Sequence, residues 1–203
     1  VQQPPHHPQY PPQQPYPGYP PRQPKKKGLG CGVIVAIAAA VTIPVLGIMA
    51  AIAIPAFTKY MRRSRTSEAR VELARLFDKT ATYYTAHGRC PGALVGEAGT
   101  TPPMSLNCND GPGGRCTPGN AYPQTAWTDN EAWSALGFEV PSPHYFHYNL
   151  KWSQDESGEC QFTAQAFGDL DDDGIYSTYE RAGAGDISGV HAAAGLYIDQ
   201  EVE

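Results

Sequence analysis

The chain has 203 residues, with 15 Lys or Arg against 20 Asp or Glu and a formal net charge of −5, but neither its charges nor its prolines are evenly spread. Up to Arg65 there are eight basic residues and no acidic one, whereas from Thr66 onward there are seven basic and twenty acidic ones, and between Lys27 and Lys59 lie 31 residues without a charge. An uncharged run of that length can cross a bilayer as a helix, and the pattern as a whole excludes a soluble cytosolic globule, a multi-pass transporter and a nucleic-acid binder with a basic folded domain.

Residues 1–24 carry ten of the twenty prolines. Proline fixes φ and lacks an N–H donor, so this stretch reads as a polyproline II or disordered tail, not a domain. Its five P-x-x-P spacings, such as Pro8 to Pro11, match ligands of proline-binding domains, but so many prolines produce them by chance, and a passive cytoplasmic spacer is the simpler reading. His6 and His7 could touch a metal, but a histidine pair in a disordered tail is weak evidence for a site.

Residues 25–58 combine a basic flank with the apolar run. Basic residues stand on both sides of it, so flanking charge leaves the orientation open. The cysteines decide it. Cys90, Cys108, Cys116 and Cys160 all lie beyond the run, an even number in a Gly/Pro/Ser-rich acidic region, as expected of disulfides formed outside the cytoplasm. Three pairings are possible. The favoured one joins Cys108 to Cys116 around a short Gly-rich loop and Cys90 to Cys160 between a helix end and a strand. A zinc site is the weaker alternative, because there is no C-x-x-C pair and no histidine at ligand spacing. The run is too long for an ordinary cleavable signal peptide, and Cys31 precedes it, unlike a lipoprotein acceptor, so Cys31 reads as a small residue at the membrane edge.

No strong breaker separates the apolar run from the residues C-terminal to it. Ala69, Leu73, Leu76, Phe77, Thr80, Tyr84 and His87 recur at steps of three and four, giving one stripe of an amphipathic helix over residues 59–88 with Gly88 as its cap. The expected helix therefore runs from about Ile34 to His87. Pro44 and Pro55 each remove one of its hydrogen bonds and are its expected kink positions.

The stretch GIMAAIAIPAFTKYMRRSRTSEAR, Gly47 to Arg70, resembles the N-terminal helix of type IV pilins and type II secretion pseudopilins, in which a G-I-L-A-A-I-A-I-P-A-[FY] run ends in basic residues and then S-E-A. The resemblance implies a helix that holds the subunit in the bacterial inner membrane and forms a filament core after assembly, with an amphipathic continuation packed on a C-terminal antiparallel sheet. It implies partners of the same kind, either copies of this chain or other pilin-like subunits. Aligned on Pro55, the chain has Ala38 where most pilins carry a glutamate and Ile34 where their mature chain begins with Phe, and the G-F-T-x-x-E processing motif is absent. The expectation is an uncleaved, single-pass, membrane-held pilin-like protein, with its N-terminus cytoplasmic and its C-terminal domain periplasmic or extracellular.

Residues 89–203 form the acidic domain. Thr128 and Glu131 match a capping box before AWSALG, with Gly137 as the stop. His144 to Trp152 and Glu159 to Phe167 alternate and are rich in aromatics, and SQDESG joins them as a hairpin; a third strand is expected over Ala192 to Gln200. The fold class is α+β, a long helix packed on a small antiparallel sheet and stabilised by disulfides.

The sharpest chemical motif is GDLDDDGIYSTYER. Counted from Asp169, carboxylates fall at positions 1, 3 and 5 (Asp169, Asp171, Asp173), glycine at 6, the Ile175 carbonyl at 7, Ser177 at 9 and Glu180 at 12. This is the spacing of an EF-hand loop, in which a hard cation takes six or seven oxygens around a tight turn. Here the flanks read as strands, Glu180 is the least secure ligand, and a solvated acidic turn is the competing reading. The expected cofactor is Ca2+, and the resemblance adds that major pseudopilins hold calcium in a C-terminal loop. No G-x-S-x-G, Walker loop or H-E-x-x-H is present, so no enzyme, small-molecule substrate or nucleic-acid partner is expected. Two functions fit: a pilin-like structural or assembly protein of a pilus or secretion system, and a monomeric membrane-tethered calcium-dependent binding module.

Overall fold

The computed structural model describes Gly18 and residues 30–201. The expected tail, Gly18 apart, and most of the basic flank lie outside the described residues. The chain divides into two units, residues 1–48 and 49–203.

Helix α1 runs from Cys31 to His87, 57 residues assigned as a single helix that passes through both Pro44 and Pro55. Its N-terminal part exposes apolar side chains all round, among them Ile34, Val41, Ile48, Ile54 and Phe57. Among the described residues it is the helix long and apolar enough to span a membrane. From Thr66 onward the character changes to one buried stripe: Thr66, Ala69, Leu73, Leu76, Phe77, Thr80 and Tyr84. The stripe thus starts one step earlier than its spacing suggested and stops at Tyr84. His87 is exposed because it sits in the last turn and stacks on Tyr83, ring centroids 4.2 Å apart.

The stripe belongs to the core beneath a six-stranded antiparallel sheet: β1 (Val95–Glu97), β2 (His147–Gln154), β3 (Cys160–Gly168), β4 (Ser177–Asp186), β5 (Gly189–Ala192) and β6 (Tyr197–Asp199). The order is β1-β2-β3-β4-β5, with β6 pairing the other end of β4. The expected hairpin is β2–β3, paired from His147↔Phe167 to Gln154↔Cys160. The expected third strand is corrected in two ways. The third long strand is β4, and of the segment read as one strand, Ala192 to Gln200, only Tyr197–Asp199 is strand β6, while Ala192 ends the short strand β5; both are laid along β4.

STYERAGAGD escapes a sequence reading because its glycines weaken a strand signal. Their reason lies across the interface. A Cβ on Gly183 would come within 2.6 Å of the Phe77 ring and one on Gly185 within 2.5 Å of the Tyr84 ring. The helix aromatics need a floor without side chains. Phe77 also meets Phe162 of β3 at 5.2 Å between centroids, and Tyr84 donates its hydroxyl to the Gly158 carbonyl at 3.1 Å.

A second aromatic group, Trp127, Trp133, Phe138 and Tyr148, joins the loop-rich segment to the sheet with centroids 5.4–6.4 Å apart. Trp133 lies on α2 (Glu131–Leu136), whose N-cap is Asn130: its side chain accepts from the Ala132 and Trp133 amides. That corrects the expected capping box, since the Thr128 hydroxyl donates instead to the Thr125 carbonyl. The stop at Gly137 is as expected, in the left-handed conformation with φ 58°. Two disulfides close this domain, Cys90–Cys160 and Cys108–Cys116, the favoured pairing. The first ties the residues just beyond α1 to the start of β3.

Candidate metal centre

The acidic loop is the connection between β3 and β4, framed by strands, with Gly168 paired to Ser177 at its base. Asp169, Asp171 and Asp173 each offer a carboxylate oxygen, and these oxygens lie within 4.8 Å of one another. Asp169 is buried and organises the turn: its Oδ1 accepts from the amides of Asp172 (2.7 Å) and Asp173 (3.3 Å), and its Oδ2 from that of Gly174 (3.0 Å). Asp173 accepts from the Ile175 amide at 2.7 Å. Two asparagines that flank Cys108 brace the outside. Asn109 donates to the Asp169 carbonyl and Asn107 to the Asp172 carboxylate, each at 2.7 Å.

Asp171 is held differently. Its Oδ2 meets the Arg62 guanidinium of α1 at 2.6 Å, while its Oδ1 is buried with no donor. An orphaned carboxylate oxygen beside two further carboxylates is an acceptor set suited to a hard cation, and buried oxygens of this kind are costly when nothing meets them. The three aspartates therefore fit Ca2+, with the Ile175 carbonyl next along the turn.

The other two expected side chains face elsewhere. Ser177 is buried, and its hydroxyl donates to the Gly168 carbonyl at 2.7 Å. Glu180 lies three residues farther along β4, about 10 Å at strand rise, and accepts from the Gln165 amide. It ends a polar row across the sheet in which the Asn149 amide reaches Glu97 and Gln165, each at 3.3 Å. An EF-hand closes its loop by turning into a helix; here the chain enters β4 at Ser177, so position 12 is carried away from position 1. Arg62 is the residue that sequence spacing could not find, because it comes from 109 residues upstream.

Two other groupings have the ingredients of chemistry without the arrangement. Cys108, Cys116 and His147 lie close enough to share a metal, but both sulfurs are committed to the disulfide. His147 and His144 are both buried. His147 Nδ1 lies 2.9 Å from the Pro102 carbonyl, and His144 Nδ1 lies 2.8 Å from the Ser142 carbonyl. Burial pushes both histidines below their ordinary value, His144 to about 4, so each is held as a neutral core group. At the exposed β4–β5 turn the Ser188 hydroxyl comes within 2.8 Å of His191 Nε2. Asp186 approaches the same nitrogen, at 3.4 Å, and also accepts from Ser188. A nucleophile triad needs the acid on the opposite ring nitrogen from the hydroxyl, so this is a polar turn.

Compared with known protein families, with curated proteins and with solved structures, the chain finds no match.

Proposed function

We propose that the chain is a single-pass, membrane-held, pilin-like structural or assembly protein whose acidic domain lies outside the cytoplasm and is ordered by Ca2+. The observation that carries this reading is α1 itself. One helix leads from an exposed apolar segment into the stripe buried in the core of an antiparallel sheet. A simple anchor needs only apolar residues, whereas here the anchor and the core helix are the same element and carry the ordered run GIMAAIAIPAF. The disulfides support an oxidising compartment for the domain. The type II secretion and type IV pilus machineries are the systems such a subunit serves.

Mass spectrometry of the N-terminus of the membrane-bound protein, combined with sedimentation of sheared filaments, tests this. Recovery of the chain in filaments supports it. A soluble, monomeric chain in the cytoplasm with reduced thiols rejects it. The second reading, a monomeric tethered binding module, is favoured by Ala38 in place of the pilin glutamate; it predicts a membrane-bound chain that is absent from filaments.

Calcium would be held by Asp169, Asp171 and Asp173. A ligand that binds the folded state alone raises the melting temperature, so the full chain in detergent is expected to melt higher with Ca2+ than with chelator. The substitution Asp169→Asn should abolish that difference. Equal midpoints for the unaltered chain reject the metal.

A further inference from the structure

Just past the apolar part of α1, two arginines stand over one tyrosine. The guanidinium carbons of Arg65, on α1, and Arg115, in the loop closed by Cys108–Cys116, each lie 4.7 Å from the centroid of the Tyr145 ring. All three residues line an open cleft of about 440 Å³, with Ser64, Ser67 and Met61 on its α1 side.

Three other arginines of this helix are paired, Arg62 with Asp171, Arg70 with Glu201 and Arg75 with Glu72, each at 2.6 Å, while Arg63 is exposed to solvent. Among the described residues, Arg65 and Arg115 have no carboxylate partner, and Arg65 Nε is buried without any acceptor. Leaving a buried charged donor unmet is costly. Two carboxylates also line the cleft, Glu68 and Glu72, and neither forms an ion pair with Arg65 or Arg115. Glu72 holds Arg75, and Glu68 Oε1 accepts from the Tyr145 amide, the Phe146 amide and the Tyr148 hydroxyl at 2.8, 3.3 and 3.2 Å. The cleft thus keeps two unanswered guanidiniums, whose planar donor forks match an oxyanion, in a region where acidic residues outnumber basic ones.

Its level along α1 says which oxyanion. Arg65 is seven residues beyond Thr58, where the uncharged run ends, a rise of about 10 Å. Helical side chains lean toward the N-terminus, so the guanidinium sits closer to the apolar run than its own Cα does. That is the depth of the headgroup layer. Phe57 and Tyr60, both well exposed, stand where interfacial aromatics are found.

Resting on the reading of α1 as a membrane span, we propose that this cleft binds the phosphate of an anionic phospholipid headgroup between Arg65 and Arg115. The full chain is reconstituted in vesicles of phosphatidylcholine alone and of phosphatidylcholine mixed with phosphatidylglycerol, then released in mild detergent for native mass spectrometry. The expected result is one retained phosphatidylglycerol per chain from the mixed vesicles. Retention should fall roughly tenfold in Arg65→Gln and in Arg115→Gln, the loss of one charge-assisted hydrogen bond, and should survive excess inorganic phosphate. Undiminished retention in both variants, displacement by free phosphate, or a cleft cross-linked to a second copy overturns the proposal. The unaltered chain's preference between the two vesicle types needs no variant, and loss of that preference also overturns it. Alkaline extraction separates the two readings: a chain that stays in the bilayer but retains no lipid sinks the site alone, whereas a chain that washes off sinks the span.

Discussion

Glu68 sits where α1 meets the start of β2, and three donors from the segment Tyr145–Tyr148 converge on its Oε1. Burial outweighs those hydrogen bonds and pushes its carboxyl from 4.5 up to about 6. The folded chain therefore binds more protons than the unfolded one between those values. The stability Glu68 contributes is fully present below 4.5 and is lost as pH rises through 6, a swing of up to about 2 kcal/mol. Replacing it with Gln keeps an acceptor for all three donors and removes the charge. Glu68→Gln is expected to melt a few degrees higher than the unaltered chain at pH 7.5 and to lose the difference at pH 4.5, whereas Glu68→Leu should melt lower at both. His144 and His147 act with the opposite sign. Their depressed values mean the unfolded chain binds more protons below the ordinary histidine range, so stability falls as pH drops from 6.5 toward 4. Two histidines against one glutamate give a net decline in melting temperature on acidification. A circular-dichroism melt series in detergent checks this, and a midpoint that rises toward pH 4 contradicts it.

At the scale of elements, the α1–sheet contact depends on what β4 lacks. Gly183→Val puts branched carbon into the Phe77 ring and Gly185→Val does the same at Tyr84; each is expected to cost about 1–3 kcal/mol as overpacking, read as a lower denaturation midpoint with an unchanged slope. A matching change at Gly99, whose Cβ would meet nothing within 4 Å but whose φ is +80°, tests strain without crowding. The cap of α2 offers a milder case. Asn130→Ala removes the acceptor for the Ala132 and Trp133 amides and the donor to the Ala98 carbonyl, with an expected loss of about 1–2 kcal/mol. Elements whose signal is local were legible: the stripe of α1, the aromatic alternation of β2 and β3, and the glycine that stops α2. Those whose justification lies in a neighbour were not. The glycines of β4 answer to Phe77 and Tyr84, and the identity of the α2 cap answers to which of several polar residues the fold leaves pointing inward.

For the whole chain, the two disulfides should differ in weight. Cys90–Cys160 spans 70 residues and Cys108–Cys116 only 8, so loop-closure entropy assigns about 4 kcal/mol to the first and about 2.5 kcal/mol to the second. Substituting Ser for both cysteines of the long-range bridge is expected to lower the melting temperature more than the same change at the short one. The reverse order would show that the short loop's bracing of the acidic turn, through Asn107 and Asn109, outweighs chain entropy. From the sequence alone came the apolar run, its passage into an amphipathic helix, the favoured cysteine pairing and the three-aspartate spacing, because each is a matter of period or count along the chain. Only the tertiary structure decided that Glu180 belongs to a sheet row, that Arg62 stands at Asp171, and that Arg65 and Arg115 meet over Tyr145. Those depend on strand register and on loops returning to a helix far upstream, and no spacing along a chain encodes the distance between two of its surfaces.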